Sequence, residues 1–197
     1  GSANLEDLEK RLYSVKLILE SEFPIHFASL SSYTVTYKIR GSVETLSRYF
    51  PELLVRSFTT TMALCHARYS TNTISSFQRS QPFALLGHNG EINTINQLRR
   101  EAKQIGVHLA SDGSDSQDVD RTLEHLCIEE GLTLFEAMEM VFPPTPYEID
   151  RFPTPISDIY ENQNLAFGPY AQGPSAICAR YGNSAVCSLD AMGLRPL

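Results

Sequence analysis

Strand-like and helix-like stretches come in blocks along this chain instead of alternating, and that order limits the folds open to it. From Asn4 to Glu22, the residues Leu5, Leu8, Leu12, Val15 and Leu19 recur at steps of three and four. They mark one face of a helix, with Asn4 as its N-cap. Phe27–Leu30 and Thr34–Ile39 are rich in β-branched and aromatic residues and are joined by Ser31-Ser32, so they read as paired strands ended by Gly41. Ser42 caps a predicted short helix over Val43 to Phe50, and Pro51 interrupts it. Strands are expected at Thr60 to Tyr69 and around Phe83 to Leu86, the second leading into a glycine-bracketed turn at Gly87-His88-Asn89-Gly90. Helices follow over Asn93 to Gly106, Ser116 to Glu130 and Thr133 to Phe142, the last opened by the capping-box spacing of Thr133 and Glu136. The prolines between Pro143 and Pro174 predict a long irregular surface loop. Ala176 to Arg180 and Ala185 to Leu189 flank Tyr181-Gly182-Asn183-Ser184 as a second hairpin. Such blocks favour an α+β layered domain over an alternating parallel sheet.

The 197 residues fit one domain, and an apolar share of 42% with a charged share of 20% is that of a folded protein. The net charge of -7 offers no basic field for nucleic acid. No apolar run reaches the roughly 18 to 20 residues that span a bilayer, so no membrane role is expected and a cytoplasmic location is. Cys65, Cys127, Cys178 and Cys187 lack CxxC spacing, which argues against a zinc site or a small disulfide scaffold; each is expected to be a small buried hydrophobe.

Polar residues concentrate in Cys65-His66-Ala67-Arg68-Tyr69-Ser70-Thr71-Asn72-Thr73, Gln81-Pro82-Phe83, Gly87-His88-Asn89-Gly90-Glu91-Ile92-Asn93-Thr94 and Gly113-Ser114-Asp115-Ser116. Each string follows or bridges a predicted element, where a scaffold usually presents binding groups. Read alone, Arg68 is an ordinary salt-bridge arginine, Asn89-Gly90 a hairpin turn, and Ser114 with Asp115 the cap of the following helix. Cys65 and His66 do not read as a catalytic pair, since neighbours on a strand point to opposite faces.

These four strings, in this order and closed by Gly193-Leu194-Arg195-Pro196, resemble the glutaminase domain of glutamate synthase large subunits, within the N-terminal-nucleophile amidotransferases. The resemblance implies a four-layer αββα sandwich and hydrolysis of L-glutamine to glutamate and ammonia. It implies that Arg68 holds the glutamine α-carboxylate, a task suited to the bidentate guanidinium, with Thr71 and Asn72 completing the clamp. By the same resemblance Asn89 and Gly90 form the oxyanion hole and Asp115 pairs with the substrate α-amino group, Ser114 being the weaker candidate beside it.

In that family the nucleophile is a cysteine at the mature N-terminus, with its own α-amino group as base. This sequence opens on Gly1, and Ile95-Asn96-Gln97-Leu98-Arg99-Arg100 stands where large synthases carry a Gly-Asn-Arg-Asn-Trp run. The expectation is a domain over residues 1–197 whose N-terminal segment is missing, inactive alone. It would be the glutamine-binding part of a glutaminase that passes ammonia to a synthase domain or subunit. The alternative is a non-catalytic amino-acid-binding or regulatory module that kept the fold. No cofactor is expected in this chain: FMN and an iron-sulfur cluster belong to other parts of such synthases, and the chain has neither a cysteine cluster nor a phosphate loop.

Overall fold

A computed structural model of the chain describes residues 2–67, 74, 76–166, 170–190 and 193–195. Helix α1 spans Ser2–Glu22, α2 Val43–Tyr49, and a single 3-10 turn Pro51–Leu54. Strand β1, Leu86–Gly90, precedes α3 (Asn96–Gln104), α4 (Asp115–Ile128), α5 (Leu134–Val141), α6 (Pro146–Ile149) and α7 (Thr154–Ala166). The hairpin of β2 (Ser175–Tyr181) and β3 (Ser184–Leu189) closes the order. The three strands form one antiparallel sheet in the order β1-β2-β3. The architecture is α+β, as the block order predicts. Among the described residues no helix is long and apolar enough to cross a membrane.

The first helix forms, but it starts at Ser2, so Asn4 lies within it and is not its N-cap, and it buries a different face. Leu5, Leu8 and Val15 are exposed, while Glu9, Tyr13 and Lys16 are buried. The steps of three and four remain, carried by Tyr13 and by charged groups with partners. Lys16 Nζ sits 2.7 and 2.8 Å from the two Glu124 oxygens of α4, and Arg121 donates to Glu20 at 2.6 Å. Glu9 accepts from the Ser32 amide and hydroxyl at 2.6 Å each and from the Ser31 hydroxyl.

That last set explains why the first expected hairpin is absent. Residues 27–39 contain no strand; the Ser32 amide is held by Glu9 and the Thr36 amide by Ser29 Oγ at 2.8 Å, so side chains take ladder donors. Of the strand expected over Thr60 to Tyr69, residues 60–67 likewise form none, and the last two positions lie outside the described residues. The expected irregular loop after Pro143 instead holds α6 and α7. Pro146 and Pro155 lie in the first turns of these helices, where a missing N–H costs nothing, and Thr145 with Glu148 makes a capping box on α6. The capping box read at Thr133 and Glu136 is present on α5.

The core lies between one face of the sheet and the helices α4 and α5. Leu86, Ile177 and Ala179 join Val119, Leu123, Leu126, Ala137, Met138 and Val141 in it, with Tyr181 and Val186 packed against it. Side chains alternate between the faces of a strand, so Gly87, Asn89, Cys178, Arg180, Ala185, Cys187 and Leu189 share the other face. Asn89, Ala185, Cys187 and Leu189 are exposed there. Among the described residues the sheet is therefore covered by helices on one side, while the other is open along Asn89, Ala185, Cys187 and Leu189 and covered by Leu64 at Gly87.

Candidate functional site

The segment expected to be a turn, residues 87–90, is instead a strand, because β2 supplies a partner all along it. Asn89 pairs with Ala176 and Gly90 with Ser175. The Arg180 amide donates to Leu85 O at 2.9 Å and the Glu91 amide to Pro174 O at 3.2 Å, so residues of odd number direct their backbone groups toward β2. His88 shows the opposite sense: its N–H donates to Gln81 Oε1 at 2.6 Å, away from β2. By this alternation the N–H of Gly90 faces the same side of β1 as that of His88, the edge turned away from β2. The side chain of Asn89 stands on the open face beside that edge.

Gly90 could be nothing else. Its φ is +107°, and an added Cβ would lie 2.0 Å from Pro174 O.

The start of β1 is fixed by a buried acid. Asp120, on α4, accepts from the N–H groups of Ala84 at 3.1 Å and of Leu85 and Leu86 at 2.9 Å each. Burial, with the Glu124 charge adding to it, raises Asp120 from 3.8 to about 6. A second tie uses His88, whose Nε2 is 2.6 Å from Ser116 Oγ. Burial and the charge of His66 push His88 down to about 4, so its ring is neutral near pH 7. His66 Nε2 lies 3.2 Å from the carbonyl of His88 and donates to it. The His88–Ser116 bond ties the side chain next to Asn89 to the side chain next to Asp115.

At the start of α4 the cap is Ser114, whose hydroxyl accepts from the Gln117 amide while the Gln117 side chain accepts from the Ser114 amide. Asp115 is the first residue of the helix, and its Oδ1 takes a hydrogen bond from Arg99 at 2.7 Å. Arg99 also reaches Asp118 Oδ2 at 2.7 Å. Asp118 is raised by burial, an effect that Arg99 opposes. The structure thus links His88, the neighbour of Asn89, to Ser116, the neighbour of Asp115, with the Asn89 side chain on the open face of the sheet and α4 on the covered one. Arg68, Thr71 and Asn72 lie outside the described residues.

Sequence reading assigned no role to Gln81, Ser116, Arg99 or Asp120. Gln81 and Ser116 stand inside the quoted strings, and Asp120 was visible as a carboxylate beside the apolar stripe of Val119, Leu123 and Leu126. The cysteines correct another expectation: Cys127 is buried, but Cys65 and Cys187 are exposed and Cys178 is half-buried. A cavity of about 360 Å³ opens between the end of α1 and α4, lined by Lys38, Gln78, Phe83, Gln117, Asp120 and Arg121. Neither Asn89 nor Gly90 lines it. Among the described residues, no cluster of three His, Cys, Asp or Glu side chains could hold a metal ion.

The sequence matches the family described as glutamine amidotransferases class-II over residues 2–197. The chain belongs to that family. This amidotransferase domain is 33% identical to the chloroplastic ferredoxin-dependent glutamate synthase of Oryza sativa subsp. japonica, covering 98% of this chain and 13% of that protein. It is 31% identical to the glutamate synthase [NADPH] large chain of Bacillus subtilis, covering 100% of the chain and 14% of that protein. It is 33% identical to the glutamate synthase [NADH] of Saccharomyces cerevisiae, covering 93% and 9%. The amidotransferase chain therefore spans only a small part of these relatives' length.

Proposed function

We propose that this amidotransferase chain is the glutamine-binding part of a glutaminase that releases ammonia for glutamate synthesis by a synthase domain or subunit. The observation that carries the reading is the pairing of an exposed Asn89 side chain with a Gly90 N–H turned away from the ladder. Such donors suit an oxygen that becomes negative when the carboxamide carbon of glutamine is attacked. Asp115 meets the α-ammonium of the substrate; Arg99 orients its carboxylate through one oxygen and leaves the other for the ligand. Arg68 holds the α-carboxylate through two parallel bonds, with Thr71 and Asn72 beside it.

The nucleophile is a cysteine at the mature N-terminus of the whole protein. Its thiol adds to the carboxamide, the tetrahedral oxyanion collapses with loss of ammonia, and water hydrolyses the thioester to glutamate. The open face of the sheet suits a second sheet, which would complete the αββα sandwich.

Calorimetry with L-glutamine on the full-length protein, run beside an ammonia-release assay, tests this. Binding with release is the expected result. Binding without release would favour a non-catalytic amino-acid module, and absence of both would overturn the reading.

A further inference from the structure

Cys178 and Cys187 are directly opposite in the β2–β3 ladder. The Arg180 amide donates to Leu85 O of β1, and the Asp190 amide donates to Ser175 O of β2. Even-numbered residues of β2 therefore turn their backbone groups to β1 and odd-numbered ones to β3. That makes Cys178 and Cys187 a non-hydrogen-bonded pair, the kind whose Cα atoms approach to about 4.5 Å and whose side chains lie closest. Their sulfur atoms are 3.0 Å apart, with the Cys187 thiol directed at Cys178. Paired Cα atoms at that spacing fall within the range a disulfide spans. Cys187 is exposed and Cys178 half-buried, so one thiol is reachable and the second waits beside it.

We propose that Cys178 and Cys187 form a reversible oxidation site, a cross-strand dithiol that hydrogen peroxide converts to a disulfide. In the first step the Cys187 sulfur, having lost its proton, takes one oxygen of the peroxide. The O–O bond breaks, Cys187 becomes a sulfenic acid, and the second oxygen leaves as water. In the second step the Cys178 sulfur attacks the Cys187 sulfur; the S–O bond breaks, a second water departs, and the S–S bond forms. Two thiols lose two electrons and two hydrogen atoms, and one peroxide becomes two waters. A dithiol restores the pair by exchange through a mixed disulfide. Burial and the neighbouring Cys187 hold the Cys178 thiol up at about 11, so the exposed Cys187 is the sulfur that meets peroxide first.

The position gives the bond a consequence. Cys178 also pairs with Gly87 of β1, two residues from Asn89, and Asn89 shares the open face with both sulfurs. A closed disulfide fixes β3 to the strand on which β1 is registered.

The test treats the purified protein with hydrogen peroxide, blocks the remaining thiols, and maps peptides by mass with and without prior reduction. The expected result is one peptide pair joined through Cys178 and Cys187, lighter by two hydrogen atoms and separated by dithiothreitol. In Cys178→Ser, Cys187 should instead be trapped as a sulfenic acid by dimedone. Amide exchange in β3 should slow on oxidation and recover on reduction. Peroxide that oxidises Cys65 while leaving Cys178 and Cys187 as free thiols would overturn the proposal. So would separate overoxidation of the two without a link.

Discussion

Three backbone N–H groups converge on the Asp120 carboxylate, and through it the chemistry of one residue holds the start of the candidate site. Removing the side chain in Asp120→Ala leaves those donors buried without a partner, at about 1 to 3 kcal/mol for each group stranded. A loss of at least about 3 kcal/mol in chemical denaturation is expected. The charge has its own signature. Because the folded pKa is raised from 3.8 to about 6, the native state keeps a proton that the unfolded chain gives up. The resulting stabilisation is complete below about pH 3.8 and is lost as pH rises through about 6. Asp120→Asn cannot titrate there, so wild type should lose on the order of 2 kcal/mol relative to it between the two limits. Urea midpoints of both proteins from pH 4.5 to 7 check this, and a constant difference would contradict it. Arg68 invites a different substitution. Arg68→Lys keeps the charge but loses the bidentate fork, and glutamine affinity measured by calorimetry should fall roughly tenfold or more. Unchanged affinity would remove Arg68 from the substrate clamp.

Among the elements, α1 is tied to α4 by a buried ion pair in place of the leucine stripe its sequence displays. Lys16 and Glu124 are 2% and 5% exposed, so losing Lys16 leaves Glu124 in the interior with only the more distant Arg121, 3.7 Å away. Lys16→Met should cost about 3 to 5 kcal/mol, and Lys16→Met with Glu124→Leu should recover most of that loss. Thermal melts of the single and double variants measure the recovery. The same helix shows what a sequence conveys and what it withholds. Its length was legible from periodicity, but the choice between two faces of equal spacing depended on Glu124, Arg121 and Ser32, all remote in the chain. Capping made α5 legible, since Thr133 and Glu136 act within one turn. Helix α7 was hidden because proline signals a break unless its place in the first turn is known. β1 was hidden because Asn89-Gly90 favours a turn until a partner strand pairs with it. Of the candidate site, the residue strings were legible; the Arg99–Asp115 and His88–Ser116 bonds were not, because they join segments whose approach only the fold decides.

At the scale of the whole molecule, among the described residues, the sheet has two unlike faces, one sealed by α4 and α5 and one largely open, and the candidate donors stand where the open face meets the edge of β1 turned away from β2. The class-II amidotransferase chain covers at most 14% of the length of the relatives compared above, so its chemistry is best tested in the full-length protein. The measurement that bears most directly on the account is Asn89→Ala, followed by single-turnover ammonia release and by calorimetry with glutamine. On the proposal that the amide acts on charge developing during attack, the rate should fall about 100 to 1,000-fold while glutamine affinity changes little. A variant that loses affinity and keeps its rate with bound glutamine would contradict the assignment of Asn89 and Gly90 to the oxyanion.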